Sequence, residues 1–201
     1  MKRLSKLVPA MSLALTSVIL WAQSSPIPML QQTSTQIIDT LKQNRANLKS
    51  NHQIIYQAIE RYLLPHVDVA GMSRSVLGRQ AWNNASPMEK KAFTEEFTKL
   101  VIRTYASPLA EYAGETVSFV PQRGPVDEHF TRVSSVISRP NGQRIPLSYN
   151  LVSKNGQWKI YDLSVEGVSL LQSFHSQFGQ VLQHATVQDL ILQMRQNKKA
   201  A

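Results

Sequence analysis

The spacing of apolar residues changes at Gly114, and that change restricts the chain to a mixed architecture. Upstream, Leu30, Thr33, Ile37, Ile38, Leu41 and Leu48 recur mostly at three- and four-residue steps, and Ile54, Ile55, Ala58, Ile59, Tyr62 and Leu63 repeat the pattern. Such steps place side chains on one face of a helix. Downstream the period is two: Ile145, Leu147, Tyr149 and Leu151 alternate with more polar neighbours, as in a strand with one apolar face. Residues 116–120, 130–139, 144–153 and 157–165 read as four strands. Asn141-Gly142 and Asn155-Gly156 stand in two of the links, and that dipeptide tolerates the positive φ angles of a tight hairpin. The last three strands are therefore expected to form an antiparallel meander. Helical spacing returns with Leu170, Leu171, Phe174, Phe178, Val181 and Leu182, entered directly from the last strand at Glu166-Gly167. Leu190, Ile191 and Met194 mark a final helix, followed by a frayed basic tail over 196–201. Helices, then strands, then helices define an α+β fold, a four-stranded antiparallel sheet packed against several helices.

Proline and polar residues punctuate the helical part. Ser25-Pro26-Ile27-Pro28 predicts an extended lead-in, and Pro65 stops the second helical pattern. Asp68 is placed to cap a short helix that carries Val69, Met72, Val76 and Leu77 and ends at Gly78. Ser86-Pro87-Met88-Glu89 has the form of a capping box, with Phe93, Phe97, Leu100, Val101 and Thr104 on one face of the helix it starts. Pro108 is expected to kink or break that helix, with Ser107 as a new cap before Leu109 and Tyr112.

Residues 1–24 read as a secretory signal: Lys2, Arg3 and Lys6 precede an apolar run over 7–21, and Ala22 or Ser24 closes the segment. The run is about 15 residues where a membrane span needs about 20, so cleavage is expected rather than anchoring. The absence of Cys excludes both a lipoprotein anchor and disulfides. Residues 25–201 then form a single domain. Removing three positive charges from 22 basic and 13 acidic residues leaves a net charge of +6, which permits an anionic partner without requiring one. The basic residues are scattered, not laid in a stripe with aromatics between, which argues against nucleic acid.

The sequence offers no catalytic constellation. The histidines, His52, His66, His129, His175 and His184, show no metal-ligand spacing beyond His66-x-Asp68, where Asp68 already has a capping role. Gly167-Val168-Ser169 lacks the second glycine of a nucleophile elbow, and Ser169 is better placed as a helix cap. Asp162 and Glu166 flank Leu163 and Val165, and a carboxylate on the inner face of the sheet would be a candidate base. No second polar partner is identifiable for it. What remains is apolar surface on both layers, either plain core or the lining of a cavity, which for a lipid would approach roughly 1,000 Å³.

The segment IYDLSVEGVSLLQSFHSQF (160–178), together with HVDVAGMSRSVLGRQAWNNAS (66–86), KAFTEEFTKLVIRTYASPLAEYAGE (91–115) and RIPLSYNLVSKNGQWK (144–159), resembles the MlaC family. These are the periplasmic phospholipid carriers of the Mla, or toluene-tolerance, lipid-transport pathway. The resemblance implies a periplasmic protein without enzymatic activity or cofactor, carrying phospholipid as cargo in an apolar cavity between sheet and helices. It implies exchange with an outer-membrane lipoprotein–porin complex and with an inner-membrane ABC-transporter complex through its MCE subunit, maintaining outer-membrane lipid asymmetry. Segment matches and the inward phase of each element nominate Val101, Tyr105, Leu109, Tyr149, Leu151, Ile160, Val165, Val168 and Leu171 for lipid contact. Arg103, Arg139 and Arg144 are nominated for the headgroup or for docking. Pro108 departs from the family pattern, which continues as helix there. A ligand-free protein-binding adaptor, and an enzyme on a cone-shaped fold using Asp162 or Glu166, remain open as alternatives. Lipid class, the number of chains held and the direction of transport are open as well.

Overall fold

Ser86 caps the start of the longest helix among the described residues. Its hydroxyl accepts from the Glu89 N–H at 3.2 Å, and the Glu89 carboxylate accepts from the Ser86 N–H at 2.8 Å. Both bonds satisfy donors that a helix start leaves open, and Pro87 fills a position whose N–H would have no partner. The computed structural model describes residues 25–122 and 127–196. The expected signal, 1–24, and the tail beyond residue 196 lie outside the described residues. Preceding the Ser86 helix are α1 (Ile27–Gln43), α2 (Gln53–Ala58), α3 (Val69–Leu77) and α4 (Arg79–Asn84); the helix itself is α5 (Pro87–Ala110). Then come β1 (Thr116–Phe119), β2 (Phe130–Ser138), β3 (Arg144–Lys154), β4 (Gln157–Val165) and β5 (Val168–Ser169), followed by α6 (Leu170–Val181) and α7 (Val187–Gln196).

Several boundaries differ from the sequence reading. The Pro26–Pro28 segment is not extended: α1 starts at Ile27, with Pro26 at its N-cap and Pro28 in its first turn. Proline is tolerated there because first-turn N–H groups have no intrahelical acceptor. Nor does α5 break at Pro108. It continues to Ala110, and Ser107 lies inside it rather than capping a new helix. Proline forfeits the bond to the carbonyl four residues back, at Thr104; both residues are exposed, so water can take that carbonyl. Beyond α2 the chain winds on through a π turn over Ile59–Leu63 and a 3₁₀ turn over Leu64–His66 that contains Pro65.

The sheet is antiparallel throughout, in the order β1-β2-β3-β4-β5. Asn155 (φ 52°) and Gly156 (φ 75°) form the tight turn between β3 and β4. Glu166 (φ 51°) and Gly167 (φ 84°) form another, which the sequence reading carried straight into the helix. The chain instead folds back, so that Val168 and Ser169 pair with Val165 and Ser164 before α6 begins.

Three apolar clusters make up the core. Phe93 and Phe97 of α5 meet Phe174 and Phe178 of α6, together with α3 and the buried face of α7. Leu41, Leu48, Ile55, Ile59, Ile102 and Ala106 join α1, α2 and the second half of α5. The third cluster lies on the sheet.

A partly buried charge cluster also secures α7. Glu96 accepts from Lys99 Nζ at 3.2 Å and pairs with Arg195 Nε at 3.4 Å, while Arg103 donates to the Met194 carbonyl at 3.3 Å. Burial pushes the Glu96 carboxyl up, but Lys99 and Arg195 together outweigh that and hold it below its ordinary 4.5. A carboxylate lowered on folding stabilises fully above its unfolded value, and that stability is lost as pH falls through the folded value. Glu96→Gln is therefore expected to lower the Tm at pH 7 by roughly 2–4 °C. The difference from the parent should shrink as the pH falls below 4.5 and vanish once it is below the folded value, which a series of thermal melts across pH would show.

Candidate functional site

Val133 and Ser135 of β2, Leu147, Tyr149 and Leu151 of β3, and Trp158 and Ile160 of β4 are the buried residues of the sheet's inner face. Strict alternation would put Ile160 and Val165 on opposite faces. A bulge at Tyr161 resets the phase: Leu151 pairs with Ile160 but Asn150 pairs with Asp162. Leu163 and Val165 therefore rejoin Ile160 in one apolar cluster.

Cover along this face is graded. Val133, Leu151, Trp158 and Ile160 are buried toward one end, whereas Ile137, Ile145, Leu163 and Val165 toward the other are only half-buried. The cover comes from Ile27, Met29 and Leu30 of α1 and from Leu63 and Val67 of the segment after α2. Among the described residues, no apolar side chain of α5 or α6 belongs to the sheet cluster or is packed against it. Val101 and Tyr105 of α5 and Leu171 of α6 are half-buried against the aromatic cluster, and Leu109 is half-buried against the third. Half-buried apolar side chains thus occur both on the sheet and on α5 and α6, in separate clusters.

Eight of the nine residues nominated for lipid contact belong to, or pack against, these clusters: Tyr149, Leu151, Ile160 and Val165 on the sheet, and Val101, Tyr105, Leu109 and Leu171 on the helices. Val168 stands apart, 62% exposed, because the turn at Glu166-Gly167 carries it onto the short edge strand β5. The sequence reading missed Leu63 and Val67, each of which touches two clusters, and Ile137, Ile145 and Leu163. The strand residues had a signal in their alternation, but the bulge that aligns Leu163 with Ile160 has none.

The arginines are not equivalent. Arg103 is committed to the Met194 carbonyl. Arg139 pairs with Glu115 at 3.5 Å and donates to Gln143 Oε1 at 2.8 Å. Arg144 is exposed and has no hydrogen-bond or ion-pair partner among the described residues.

The polar residues weighed for chemistry have structural tasks. Asp68 accepts from the Gly71 N–H at 3.1 Å and pairs with Lys154. His175 meets the Val76 carbonyl through Nδ1 at 3.1 Å, tying α6 to the end of α3. Glu166 is exposed in its turn. Asp162 falls opposite Asn150, off the inner apolar face, and is buried. It accepts from Ser169 Oγ at 2.7 Å, from the Leu171 N–H at 3.1 Å and from Asn150 Nδ2 at 3.4 Å, while Ser169 caps α6 by accepting from Gln172 at 3.1 Å. Asp162 thus fastens the start of α6 to β4. Asp162→Ala leaves several of these donors without a partner and is expected to lower unfolding stability by about 2–4 kcal/mol. A drop in the urea midpoint at unchanged slope would register it.

Among the described residues, no group of three or more His, Asp or Glu side chains can hold a metal ion, and no helix is long and apolar enough to cross a membrane. A sheet with one apolar, unevenly covered face beside a helical layer defines a small α+β protein with apolar surface on both layers. Residues 31–196 match the protein-family model described as MlaC protein, and the chain belongs to the MlaC family, whose members are non-enzymatic lipid carriers. It is 29% identical over 162 residues to the toluene tolerance protein ttg2D of Pseudomonas putida, a match covering 81% of this chain and 75% of the relative. It is 25% identical over 179 residues to the intermembrane phospholipid transport system binding protein MlaC of Haemophilus influenzae, covering 88% and 83%. The structure of a phospholipid-binding protein from Ralstonia solanacearum in complex with a phospholipid superposes with a TM-score of 0.77 at 25% identity, covering 87% of this chain and 95% of that one.

Proposed function

We propose that this chain is a phospholipid carrier that holds acyl chains between the loosely covered half of the sheet and helices α5 and α6. The carrying observation is that Val101, Tyr105 and Leu171 stay half-buried and apolar while packing against no residue of the sheet cluster. Unpacked apolar surface on both layers matches a flexible apolar ligand. Arg144, exposed beside Ile145, is the free cation nearest that half of the sheet in sequence and is the proposed phosphate contact. The remaining nominated residues, Val168 included, belong to the same proposal as contacts to be tested individually.

The physical logic is that of a shuttle. Each buried methylene is worth about 0.8 kcal/mol, so acyl chains cannot cross an aqueous compartment unshielded. A protein that offers them an environment close to that of a bilayer makes the transfer nearly isoenergetic, and no nucleotide site is required in the carrier. Family membership supports export to the periplasm after loss of residues 1–24. It also supports exchange with an inner-membrane ABC-transporter complex through its MCE subunit and with an outer-membrane lipoprotein–porin complex. The test is native mass spectrometry of the chain purified from a periplasm without detergent. One phospholipid species released on unfolding is the expected result. A protein that emerges empty and extracts nothing from vesicles sinks the carrier reading and favours the adaptor.

A further inference from the structure

The corner where α4 meets α5 gathers unpaired cations around exposed apolar side chains. Met88, in the first turn of α5, is 83% exposed, more than any other large apolar side chain among the described residues. Lys91 lies three residues on, which puts it on the same face of the helix as Met88. Lys90 stands over the Trp82 ring of α4 at 5.8 Å, and Trp82 is half-buried with its ring against the aromatic cluster. The indole N–H of Trp82 is not buried and has no acceptor among the described residues. Arg79 opens α4 and lines the same open groove as Glu89 of α5, so the fold brings it to this corner as well.

The charge here is one-sided. Between residues 69 and 91 the chain carries Arg74, Arg79, Lys90 and Lys91 against a single acid, Glu89. The Glu89 carboxylate is held by the Ser86 N–H at 2.8 Å and the Ser86 hydroxyl at 2.7 Å, and it pairs with none of these cations. Elsewhere Lys49, Lys99, Arg139, Lys154 and Arg195 each face a carboxylate. Arg79, Lys90 and Lys91 have no ion-pair or side-chain hydrogen-bond partner among the described residues.

We propose that this corner docks the protein on a bilayer surface with anionic headgroups, Met88 and Trp82 entering the interface while Arg79, Lys90 and Lys91 meet lipid phosphates. Unpaired cations are drawn to an anionic leaflet, and an indole with a free N–H suits the boundary between headgroups and acyl chains. An acidic protein face would also attract the cations. A stable protein interface, however, covers about 800 Å² on each side, more than one methionine and half a tryptophan supply. At 1.5 Å per helical residue, Met88 lies about 20 Å along α5 from Val101, so docking through this corner stays clear of the proposed acyl-chain contacts.

The experiment is co-sedimentation of the chain, purified from a periplasm so that residues 1–24 do not themselves insert, with vesicles of phosphatidylglycerol and phosphatidylcholine or of phosphatidylcholine alone. Binding is expected on the anionic vesicles, lost in high salt, with a blue shift of tryptophan emission. Residues 25–201 contain two tryptophans, and Trp158 is already 7% exposed, so the shift reports Trp82. Each cation near such a surface is worth about fivefold, so the triple variant Arg79→Gln, Lys90→Gln, Lys91→Gln should bind roughly 100-fold more weakly. Met88→Ser should cost about 3- to 10-fold, part of what burial of a methionine side chain contributes. Lys42→Gln with Arg45→Gln removes charge from another part of the surface and should change binding far less. No binding to anionic vesicles at low salt overturns the proposal, and so does an equal loss per charge in the two sets of variants. Neither readout depends on bound cargo, so the docking surface stands or falls apart from the carrier reading.

Discussion

Phe97→Ala is expected to reduce unfolding stability by about 4 kcal/mol, near the middle of the range for a buried phenylalanine. The ring is 2% exposed and has three aromatic neighbours: Phe93 stacked at 5.9 Å, and Phe174 and Phe178 edge-on at 5.3 and 6.2 Å. Truncation removes transfer energy, leaves a cavity that these neighbours cannot close without leaving their rotamers, and breaks pairs worth about 0.5–1.5 kcal/mol each beyond area. Since domains of this kind are stable by only about 5–15 kcal/mol, the variant should be close to unfolding at physiological temperature. Urea denaturation monitored by circular dichroism measures this directly. Phe130→Ala is the contrast. That ring is 58% exposed and its one aromatic neighbour among the described residues is Tyr161, edge-on at 6.3 Å, so a change below about 1 kcal/mol is expected. Comparable losses at the two positions would mean that the aromatic cluster does not hold α6 to α5.

The parts of this fold legible in the sequence are those where chemistry is local. Ser86 and Glu89 lie three residues apart and need only one helical turn to find each other, so the capping box could be read directly and is present at 2.8 and 3.2 Å. Asn155-Gly156 likewise carries its turn in its own backbone preference, and β4 has the boundaries its alternation predicts. Asp68 and Ser169 cap the helices that follow them, as their positions suggested. The misreadings involve context. The sequence reading takes Pro28 as part of an extended lead-in and Pro108 as a kink or break, but one falls in a first turn and the other on an exposed last turn, where the missing N–H matters least. The helix Arg79–Asn84 and the two-residue strand β5 were missed because six and two residues are too few for a period to be visible.

The site was harder to read for a different reason. Its residues are not consecutive on any element, and the feature that aligns them is the bulge at Tyr161, which no residue type announces. Alternation alone cannot place Ile160 and Val165 on one face. Nominating both followed from the family segments, and the sheet pairing brings both into one apolar cluster. Val168 shows the converse: its segment matched, and a turn of two residues places it on an exposed edge. Burial class also has no sequence signature. Val101 and Phe97 lie on the same helix at helical spacing, yet Phe97 is core and Val101 is half-buried against the aromatic cluster.

That difference leads to the sharpest distinction between a carrier and a solid adaptor, through Val165→Trp. Val165 is half-buried on the sheet's inner face, paired with Leu147 on one side and Val168 on the other. If the layers are closely packed in front of it, an indole there overpacks a core and should destabilise the chain by about 1–3 kcal/mol. If the space holds acyl chains, the indole enters it and displaces lipid instead. Excluding about three methylenes forfeits roughly 2.4 kcal/mol of binding, or about 50-fold in affinity, with little change in the stability of the lipid-free protein. The carrier reading therefore expects lipid occupancy to collapse while the lipid-free urea midpoint stays near that of the parent. Val168→Trp adds the same bulk at the paired position of the adjoining edge strand, where the side chain is exposed, and should leave occupancy close to parental; an equal loss there would make Val168 a lipid contact as well. A destabilised Val165→Trp that still binds lipid would relocate the acyl chains away from the sheet. A destabilised variant of a parent that never bound lipid would be the signature of a solid core.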